Sequence, residues 1–303
     1  MYPRSFHYHR AKSLQEAAAM LAQLGDQAKL LAGGQSLIPL MKLRFANPAH
    51  LVDLNFIAGT SYIHREAGVS EAGVLRFGAL TRHAEIENSA LAATVPILHD
   101  CAAGIADVQI RNRGTIGGSL AEADPSGDWA CVLSTLSTEV RCLGASSPER
   151  VIPLSEFILD AYTSALQPDE LVSEVMVKIP AKGSGGAYLA FKRSAPVYPT
   201  ASAAVQLTME GDRCTDVAIA LGCVGLTAIK AKDAEAALRG QTVNDQALAA
   251  AGEAASAAAE PQDDTRGSAD YKRALVGALV KRAIAIATRR AHGEQVEVSH
   301  IYA

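Results

Sequence analysis

The chain has 303 residues, of which 49% are hydrophobic and 20% are charged, and it carries a formal net charge of −4 at pH 7 with a pI near 6.1. This length allows two globular domains of ordinary size, and the weakly acidic charge gives no electrostatic reason to expect binding to nucleic acid or to an anionic membrane. No apolar run approaches the ~20 residues that span a bilayer, and residues 1–8 lack the apolar core of a signal peptide, so the sequence predicts a cytoplasmic protein without membrane insertion.

The cysteines are scattered along the chain, and no two of them form a CxxC pair. They are Cys101, Cys131, Cys142, Cys214 and Cys223. Iron–sulfur clusters and structural zinc need clustered thiolates. We therefore expect buried, reduced thiols and no metal site on this chain, since the eight histidines also lack the HExxH spacing of a zinc site.

The N-terminal segment predicts a small α/β unit. Residues 13–16 (Ser-Leu-Gln-Glu) form a capping box at the start of a helix, and Gly25 is typical of a helix C-terminal end. Residues 29–32 predict a short buried strand that leads directly into Gly33-Gly34, and residues 50–54 predict a second strand. The first glycine pair therefore lies at the end of a strand, where ligand-binding loops commonly occur.

The middle of the chain mixes short strands with helices. The predicted elements, in order, are strands 61–65 and 74–78 joined by a turn that contains Gly68 and Gly73, a helix over 96–106, a helix opened by residues 124–128 and running to 136, and strands 139–143 and 171–179. Glycine, serine and proline are concentrated at residues 180–186, which predicts a linker.

The last third predicts a sheet covered by helices. Its elements are strands 188–192, 203–209 and 217–223, followed by alanine-rich helices over 245–259 and 269–291. Strands and helices are mixed along the whole chain, which favours the α+β class. We predict a first domain of residues 1–179, divided into subdomains 1–58 and 59–179, and a C-terminal domain of residues 180–303.

Two glycine-rich segments about eighty residues apart carry the functional signal. They read Ala32-Gly33-Gly34-Gln35-Ser36-Leu37 and Thr115-Ile116-Gly117-Gly118-Ser119-Leu120. Paired glycines let the backbone approach a ligand closely, and successive N–H groups in such a turn form an anion site. Neither segment is a GxGxxG dinucleotide motif, a P-loop or a GxSxG elbow. Together they predict one long ligand held from two sides, and no catalytic residue stands out.

These segments and their surroundings resemble a known family. The first continues into Met41-Lys42-Leu43-Arg44, and the second runs from Gln109 through Arg113 and Gly118 to Ala123-Asp124-Pro125. In this combination the chain is similar, over its whole length, to the FAD-binding medium subunit of molybdenum hydroxylases, a family that includes carbon monoxide dehydrogenase and the flavin domain of xanthine dehydrogenase. The resemblance implies a vanillyl-alcohol-oxidase-type fold of two α/β subdomains, followed by a smaller C-terminal sheet-and-helix domain.

The resemblance implies non-covalent FAD and a set of contacts. Residues 33–37 would hold the pyrophosphate on a supporting strand of residues 30–32, and the second glycine segment would contact the diphosphate and ribityl chain from the other side. Ile105 would pack on the flavin ring, Asp128 would contact FAD just after Asp124, and Lys192 would lie near the pyrimidine edge. The implied set is Leu30, Leu31, Ala32, Gly33, Gly34, Gln35, Ser36, Leu37, Ile105, Thr115, Gly117, Gly118, Ser119, Asp124, Asp128 and Lys192.

Several of these residues have simpler alternative roles. Lys192 could be a solvated strand lysine, and Asp124 and Asp128 could cap the helix that contains Trp129. Arg111 and Arg113 could only shape their loop. Residues 194–199 are apolar where the family commonly has further charged residues, so Tyr198 could lie near the flavin face and regulate the access of electron acceptors.

The function implied by the resemblance is electron transfer within a larger complex. A large partner subunit would hold the molybdopterin cofactor and a small partner subunit two [2Fe–2S] clusters, and FAD on this chain would pass electrons to an external acceptor. A dimer of such heterotrimers is implied as the assembly. Two alternatives remain open: a stand-alone flavin oxidoreductase of the same fold, and a non-catalytic FAD-binding assembly factor. Copurification with the large and small partners would separate both from the first interpretation.

Overall fold

The structure, a computed structural model, describes residues 2–67, 72–298 and 301–302. Gly68 of the predicted turn therefore lies outside the described residues. Within them, helices and strands alternate irregularly and form three main sheets. The α+β class and the succession of a two-part N-terminal region and a C-terminal sheet-and-helix region are confirmed.

The first sheet belongs to a small α/β unit at the N-terminus. It has the strand order β1-β3-β2, all parallel. The helix α1 is capped by Ser13, whose hydroxyl accepts the N–H of Glu16 at 3.1 Å, and it ends at Gly25, whose φ of 57° favours glycine. The elements are β1 (His7–Arg10), α1 (Leu14–Leu24), β2 (Ala28–Leu31), α2 (Leu37–Leu43) and β3 (His50–Asp53).

The second sheet is five-stranded and antiparallel, with the order β4-β5-β10-β6-β7. Trp129, Phe77 and Phe157 are fully buried in the core that it shares with its helices. The elements are β4 (Ile63–Glu66), β5 (Val74–Gly78), α3 (His83–Glu87), α4 (Pro96–Gly104), α5 (Val108–Arg111), α6 (Ile116–Glu122), α7 (Asp128–Leu133), β6 (Thr138–Leu143), β7 (Arg150–Pro153), α8 (Leu154–Phe157), β8 (Ile158–Asp160), β9 (Thr163–Ser164) and β10 (Leu171–Lys178).

The third sheet, in the C-terminal region, is buried on both faces. One face packs on α9 and α11, which α10 covers in turn, whereas the other contacts α4 and α7 of the preceding unit. Small residues such as Ala190, Ala204 and Ala220 on the latter face allow this close packing. The elements are β11 (Ser184–Lys192), β12 (Ala201–Glu210), β13 (Arg213–Gly222), β14 (Ile229–Lys230), α9 (Lys232–Leu238), α10 (Asp245–Ala258), α11 (Ala269–Ala291) and β15 (Ile301–Tyr302).

The structure differs from the sequence predictions at the linker, at the end of one helix and at the second glycine segment. The predicted linker 180–186 is wrong in its second half, because β11 already begins at Ser184 and pairs with β12 from that residue. The helix predicted to run to residue 136 ends at Leu133. The second glycine segment itself forms α6, because the Thr115 hydroxyl caps the helix by accepting the N–H of Gly118 at 3.2 Å.

The described residues contain neither a membrane-spanning helix nor a cluster of metal ligands. No helix among residues 2–67 and 72–298 is both long and apolar enough to cross a bilayer. In the same ranges, no three His, Cys, Asp or Glu side chains come close enough to hold a metal ion. Four of the five cysteines are buried and Cys223 is half-buried, and all are free thiols.

Candidate cofactor site

A cavity of about 310 Å³ lies where the N-terminal α/β unit, the second sheet with its helices and the C-terminal sheet meet. Its wall contains both glycine segments, the end of α4, the start of α7, the end of β11 and the loop that carries Tyr198. Another cavity, of about 490 Å³, lies near α7, α8 and β14, so volume alone does not identify the site. The smaller cavity is identified as the candidate site because both glycine segments line it.

The first glycine segment presents backbone donors to the cavity. It follows β2 and turns at Gly34, whose φ of 73° favours glycine. The Gln35 side chain braces the turn by donating its amide N–H to the carbonyl oxygen of Gly33 at 3.0 Å. Among the hydrogen bonds of the described residues, none uses the backbone N–H groups of 34–36, so these donors are available to an anionic ligand.

The second glycine segment contributes differently. The backbone N–H of Gly117 donates to the Ala79 carbonyl at 3.0 Å, and that of Ser119 donates to the Thr115 carbonyl at 3.0 Å. With the Gly118 N–H on the Thr115 hydroxyl, the amides of this turn are used inside the protein. The segment therefore offers close approach and the Ser119 hydroxyl rather than a second set of free N–H donors.

The two glycine segments touch each other. A Cβ on Gly33 would lie 2.6 Å from the Arg113 carbonyl oxygen and 2.7 Å from Gly114 Cα, so only glycine fits there. A Cβ on Gly118 would lie 3.8 Å from Ala32 Cβ. Arg82 stabilises this contact between the segments, because its guanidinium donates to the Arg113 carbonyl and to the Asn55 side chain.

All but two of the sixteen residues implied by the resemblance line this cavity. Leu31 lies behind it, and its carbonyl oxygen accepts the N–H of Leu54 at 3.1 Å in support of the strand end. Gly117 also lies behind the wall, where a Cβ would be 2.7 Å from Ala79. These two positions support the loops, and the structure does not place them at the cavity.

Two opposite charges are buried in the cavity wall. Lys192 is 1% exposed and Asp128 is 6% exposed. The Lys192 ammonium donates to the Gly104 carbonyl at the end of α4, and Asp128 Oδ1 accepts the Tyr188 hydroxyl at 2.6 Å. Burial raises the pKa of the Asp128 carboxyl above its ordinary value, and the Lys192 ammonium and the Tyr188 hydroxyl offset only part of this rise. The alternative of a solvated strand lysine is wrong.

The helix-capping alternative for the two aspartates is also wrong. The N-cap of α7 is Gly127, which has no side chain to cap with, and Asp128 is the first helical residue. Asp124 instead closes its own turn, because its Oδ1 accepts the N–H of Ser126 at 2.8 Å. Both carboxylates line the cavity.

Ile105 reaches the cavity because Arg111 shapes the segment after α4. The Arg111 side chain forms an ion pair with Glu87 at 2.8 Å and donates to the carbonyls of Ile105 at 3.1 Å and Ala106 at 3.3 Å. Ala106 has a φ of 42°, an uncommon conformation for alanine. The predicted loop-shaping role of Arg111 agrees with these contacts.

Sequence reasoning missed several residues of the wall. These are His83, Ala106, Ile110, Gly114, Glu122, Gly127, Pro196 and Val197. Gly114 was within reach of prediction, since it directly precedes the second glycine segment. His83 could not be predicted from local sequence, because it belongs to a short helix and is positioned by a long-range hydrogen bond. Trp129 Nε1–H donates to its Nδ1 at 3.1 Å.

His83 is a neutral histidine at physiological pH. Burial, reinforced by Arg82 and Arg111, lowers its pKa to about 3. Because an unfolded histidine titrates near 6.5, the unfolded chain binds an extra proton between these values, and the protein loses stability as pH falls below about 6.5. We expect His83→Gln to reduce this loss by about 3 kcal/mol between pH 7 and pH 4, measured by urea unfolding.

The control for this prediction is His99→Gln, which removes an exposed histidine. It should keep the pH dependence of the wild type. If the free energies of unfolding of wild type and His83→Gln stayed parallel from pH 7 to pH 4, His83 would not be held neutral by burial.

The chemistry of the wall fits FAD. The pyrophosphate carries two negative charges, which free amide donors at a turn hold without a cation. The glycine contacts leave no room for side chains where the two segments meet, as close approach of a ligand to the backbone requires. The apolar Ile105 and the buried Lys192 lie in the same wall. Ile105 offers a surface for a flat ring, and Lys192 offers a cation for the negative charge that the ring gains on reduction.

Comparison with known proteins decides the family. Residues 4–182 match the family model described as FAD binding domain in molybdopterin dehydrogenase, and residues 186–287 match the CO dehydrogenase flavoprotein C-terminal domain. The chain belongs to the FAD-binding subunits of molybdopterin dehydrogenases. The recognition of this family from the two glycine segments is thereby confirmed.

Relatives of this flavoprotein family match almost from end to end. The carbon monoxide dehydrogenase medium chain of Hydrogenophaga pseudoflava is 39% identical over 96% of this chain and 99% of its own. The 6-hydroxypseudooxynicotine dehydrogenase complex subunit alpha of Paenarthrobacter nicotinovorans is 38% identical over 99% of this chain and 100% of its own. A solved carbon monoxide dehydrogenase from H. pseudoflava superposes with a TM-score of 0.91 at 41% identity, covering 96% of this chain and 99% of that chain.

Proposed function

We propose that this chain carries FAD as the electron-transfer subunit of a molybdenum hydroxylase complex. It would accept electrons from [2Fe–2S] clusters of a small partner subunit and pass them to an external acceptor. The observation that carries the proposal is the assembly of both glycine segments, Lys192 and Asp128 around one cavity in a chain that matches medium subunits along its length.

The division of labour follows from the relatives. Those named as medium chains belong, by that name, to enzymes with further chains. The molybdopterin cofactor and the iron–sulfur clusters would lie in the large and small partners, in a dimer of heterotrimers. The cysteines of this chain favour that division, because they are separate buried thiols rather than a clustered ligand set.

The residues present would hold FAD at its two ends. The N–H groups of residues 34–36 would bind the pyrophosphate, and Ile105 would pack on the ring. Lys192 would lie at the edge of the ring that becomes negative. When bound, FAD supplies an electron carrier that connects one-electron donors with two-electron acceptors. We propose the domain division 1–179 and 180–303, with the cavity wall completed by β11 from the second part.

Tyr198 would control the access of acceptors. Its ring lines the cavity while remaining 44% exposed, and Arg266 lies over it with Cζ 5.9 Å from the ring centroid. Removing a side chain that covers a cofactor makes the cofactor more accessible to solutes. We therefore expect Tyr198→Ala to increase the rate at which small acceptors reoxidise the reduced flavin, by roughly fivefold. Stopped-flow reoxidation by oxygen and by a quinone measures this. Unchanged rates together with an unchanged flavin potential would contradict the role.

Coexpression with its partners tests the proposed function. The chain is produced with the large and small subunits of the same organism, and the tagged medium chain is purified. We expect a complex with molybdenum, iron and FAD whose flavin is reduced when the iron–sulfur clusters are reduced. A chain that purifies alone and turns over a substrate with its own FAD would support the stand-alone oxidoreductase. A chain that binds FAD but neither partner would support the assembly factor.

A further inference from the structure

The Asp128 carboxylate is held by a residue that does not reach the cavity. Tyr188 is fully buried in β11 and is absent from the cavity wall, yet its hydroxyl donates to Asp128 Oδ1 at 2.6 Å. A short hydrogen bond to a buried carboxylate fixes both its orientation and its charge state. The side chain of Asp128 therefore depends on Tyr188 for its position at the cavity.

Tyr188 is itself fixed from behind. Its backbone N–H donates to Asp100 Oδ2 at 3.2 Å, and Asp100 forms a bidentate ion pair with Arg290 at 2.6 and 3.0 Å. Asp100 lies on α4 and Arg290 on α11, so three elements meet at this point. Arg290 also donates to the Gly186 carbonyl of β11 at 2.7 Å. The strand that carries Tyr188 is thus anchored on both sides.

Strand geometry places Tyr188 and Lys192 on one face. Side chains alternate along a strand, so residues 188, 190 and 192 of β11 point the same way. Ala190 between them is small and buried. The hydroxyl of Tyr188 and the ammonium of Lys192 therefore approach the Asp128 region from the same strand.

We propose that Tyr188 is a positioning residue: its hydroxyl fixes the orientation and keeps the negative charge of Asp128 at the cavity, and it thereby sets the redox equilibrium of FAD bound there. The proposal rests on the proposed function, since it needs FAD in this cavity. A fixed negative charge beside the ring disfavours the reduced state, which carries more negative charge. Loss of the hydroxyl would let Asp128 take up a proton at a higher pH.

Other ionisable groups act on Asp128 as well. They are Lys192 of β11, Asp124 and Tyr198 at the cavity, Cys101 of α4, Cys131 of α7 and Cys223 after β13. Burial raises the pKa of each of the three thiols, which are neutral at physiological pH. Lys192, Tyr188 and the backbone N–H of Asp128 itself favour the ionised carboxylate.

The test is a reductive titration of FAD bound to wild type and to Tyr188→Phe against a reference dye between pH 5.5 and 9. We expect the variant to bind FAD. At neutral pH and a fixed ambient potential, its ratio of reduced to oxidised FAD should be about tenfold higher than that of the wild type. For a two-electron couple this corresponds to a rise of about 30 mV in the midpoint potential. The two curves should converge at high pH, where Asp128 is ionised in both proteins. If the substitution only damaged the structure, the potentials of the variant and the wild type would still differ at high pH.

Matched variants make the outcome decisive. Tyr62→Phe removes a similar bond, from the Tyr62 hydroxyl to Glu174 Oε1 at 2.7 Å, away from the cavity, and should leave the potential unchanged. Asp128→Asn should shift the potential in the same direction as Tyr188→Phe. If Tyr188→Phe does not fold, the double variant with Asp128→Asn, which leaves no carboxylate without its hydroxyl donor, should have the potential of Asp128→Asn alone.

Three results would be decisive, two against the role of Tyr188 and one against the proposed function. Wild-type potentials and pH dependence in a folded Tyr188→Phe protein that binds FAD would refute the role of Tyr188. The same refutation follows if the double variant differs in potential from Asp128→Asn. Failure of the wild type to bind FAD at all would instead refute the proposed function.

Discussion

Gly33→Ala is expected to abolish measurable FAD binding and to destabilise the N-terminal region. The new Cβ would lie 2.6 Å from the Arg113 carbonyl oxygen and 2.7 Å from Gly114 Cα, and both are backbone atoms that no rotamer change can move. The two glycine segments would have to separate. Overpacking of this kind destabilises a protein by roughly 1–3 kcal/mol. Because the segments jointly form the cavity wall, we expect FAD affinity to fall at least ~100-fold, about 2.7 kcal/mol.

Titration of the chain with FAD, followed by quenching of flavin fluorescence, measures this loss. Gly277→Ala is the control, because it adds the same methyl group inside α11, where the nearest atom, the Gly252 carbonyl oxygen, is 3.1 Å away and remote from the cavity. It should bind FAD like the wild type. A Gly33→Ala protein with unchanged affinity would show that the contact between the two segments has no part in FAD binding.

Lys192→Met should have the second large effect, on both stability and the flavin. The ammonium is 1% exposed, lies in the cavity wall and lowers the pKa of the buried Asp128 carboxyl. The substitution removes the donor to the Gly104 carbonyl and the cation that lowers the pKa of Asp128. Leaving a buried acceptor without its hydrogen bond destabilises a protein by about 1–3 kcal/mol. Without the cation, reduced flavin also loses a stabilising charge. We expect the midpoint potential to fall by roughly 30–90 mV.

Lys272→Met separates the two consequences. Lys272 is 4% exposed in α11, and its ammonium contacts Asp264 at 2.8 Å and the Gln262 carbonyl at 2.8 Å. Its removal should destabilise the protein to a similar extent and leave the flavin potential unchanged. Equal potentials in Lys192→Met and the wild type would remove Lys192 from the FAD site.

Local signals in the sequence predicted most of the regular structure. Helix α11 was predicted at residues 269–291 and has these bounds, because Ser268 caps it and its Leu, Val and Ile positions pack on the sheet. The strand before Gly33 and the capping box at Ser13 depend on short-range chemistry of the same kind. The glycine segments stood out because only glycine tolerates the contacts found at them.

What the sequence did not predict depends on long-range contacts. Gly117 was expected at the ligand, but it packs on Ala79, which is distant in sequence. Lysine is rarely fully buried, so nothing local distinguishes Lys192 from a solvated strand residue. His83 enters the cavity wall because Trp129 donates to it from another helix. These positions are set by the way the three sheets meet.

The visible absorption spectrum of the purified chain, recorded after incubation with FAD and gel filtration, shows whether this cavity holds FAD. We expect the two bands of oxidised flavin, one FAD per chain, and release of intact FAD on acid precipitation, because binding between the glycine segments is non-covalent. A chain that stays colourless, or that retains no flavin after gel filtration, would contradict the assignment of this cavity.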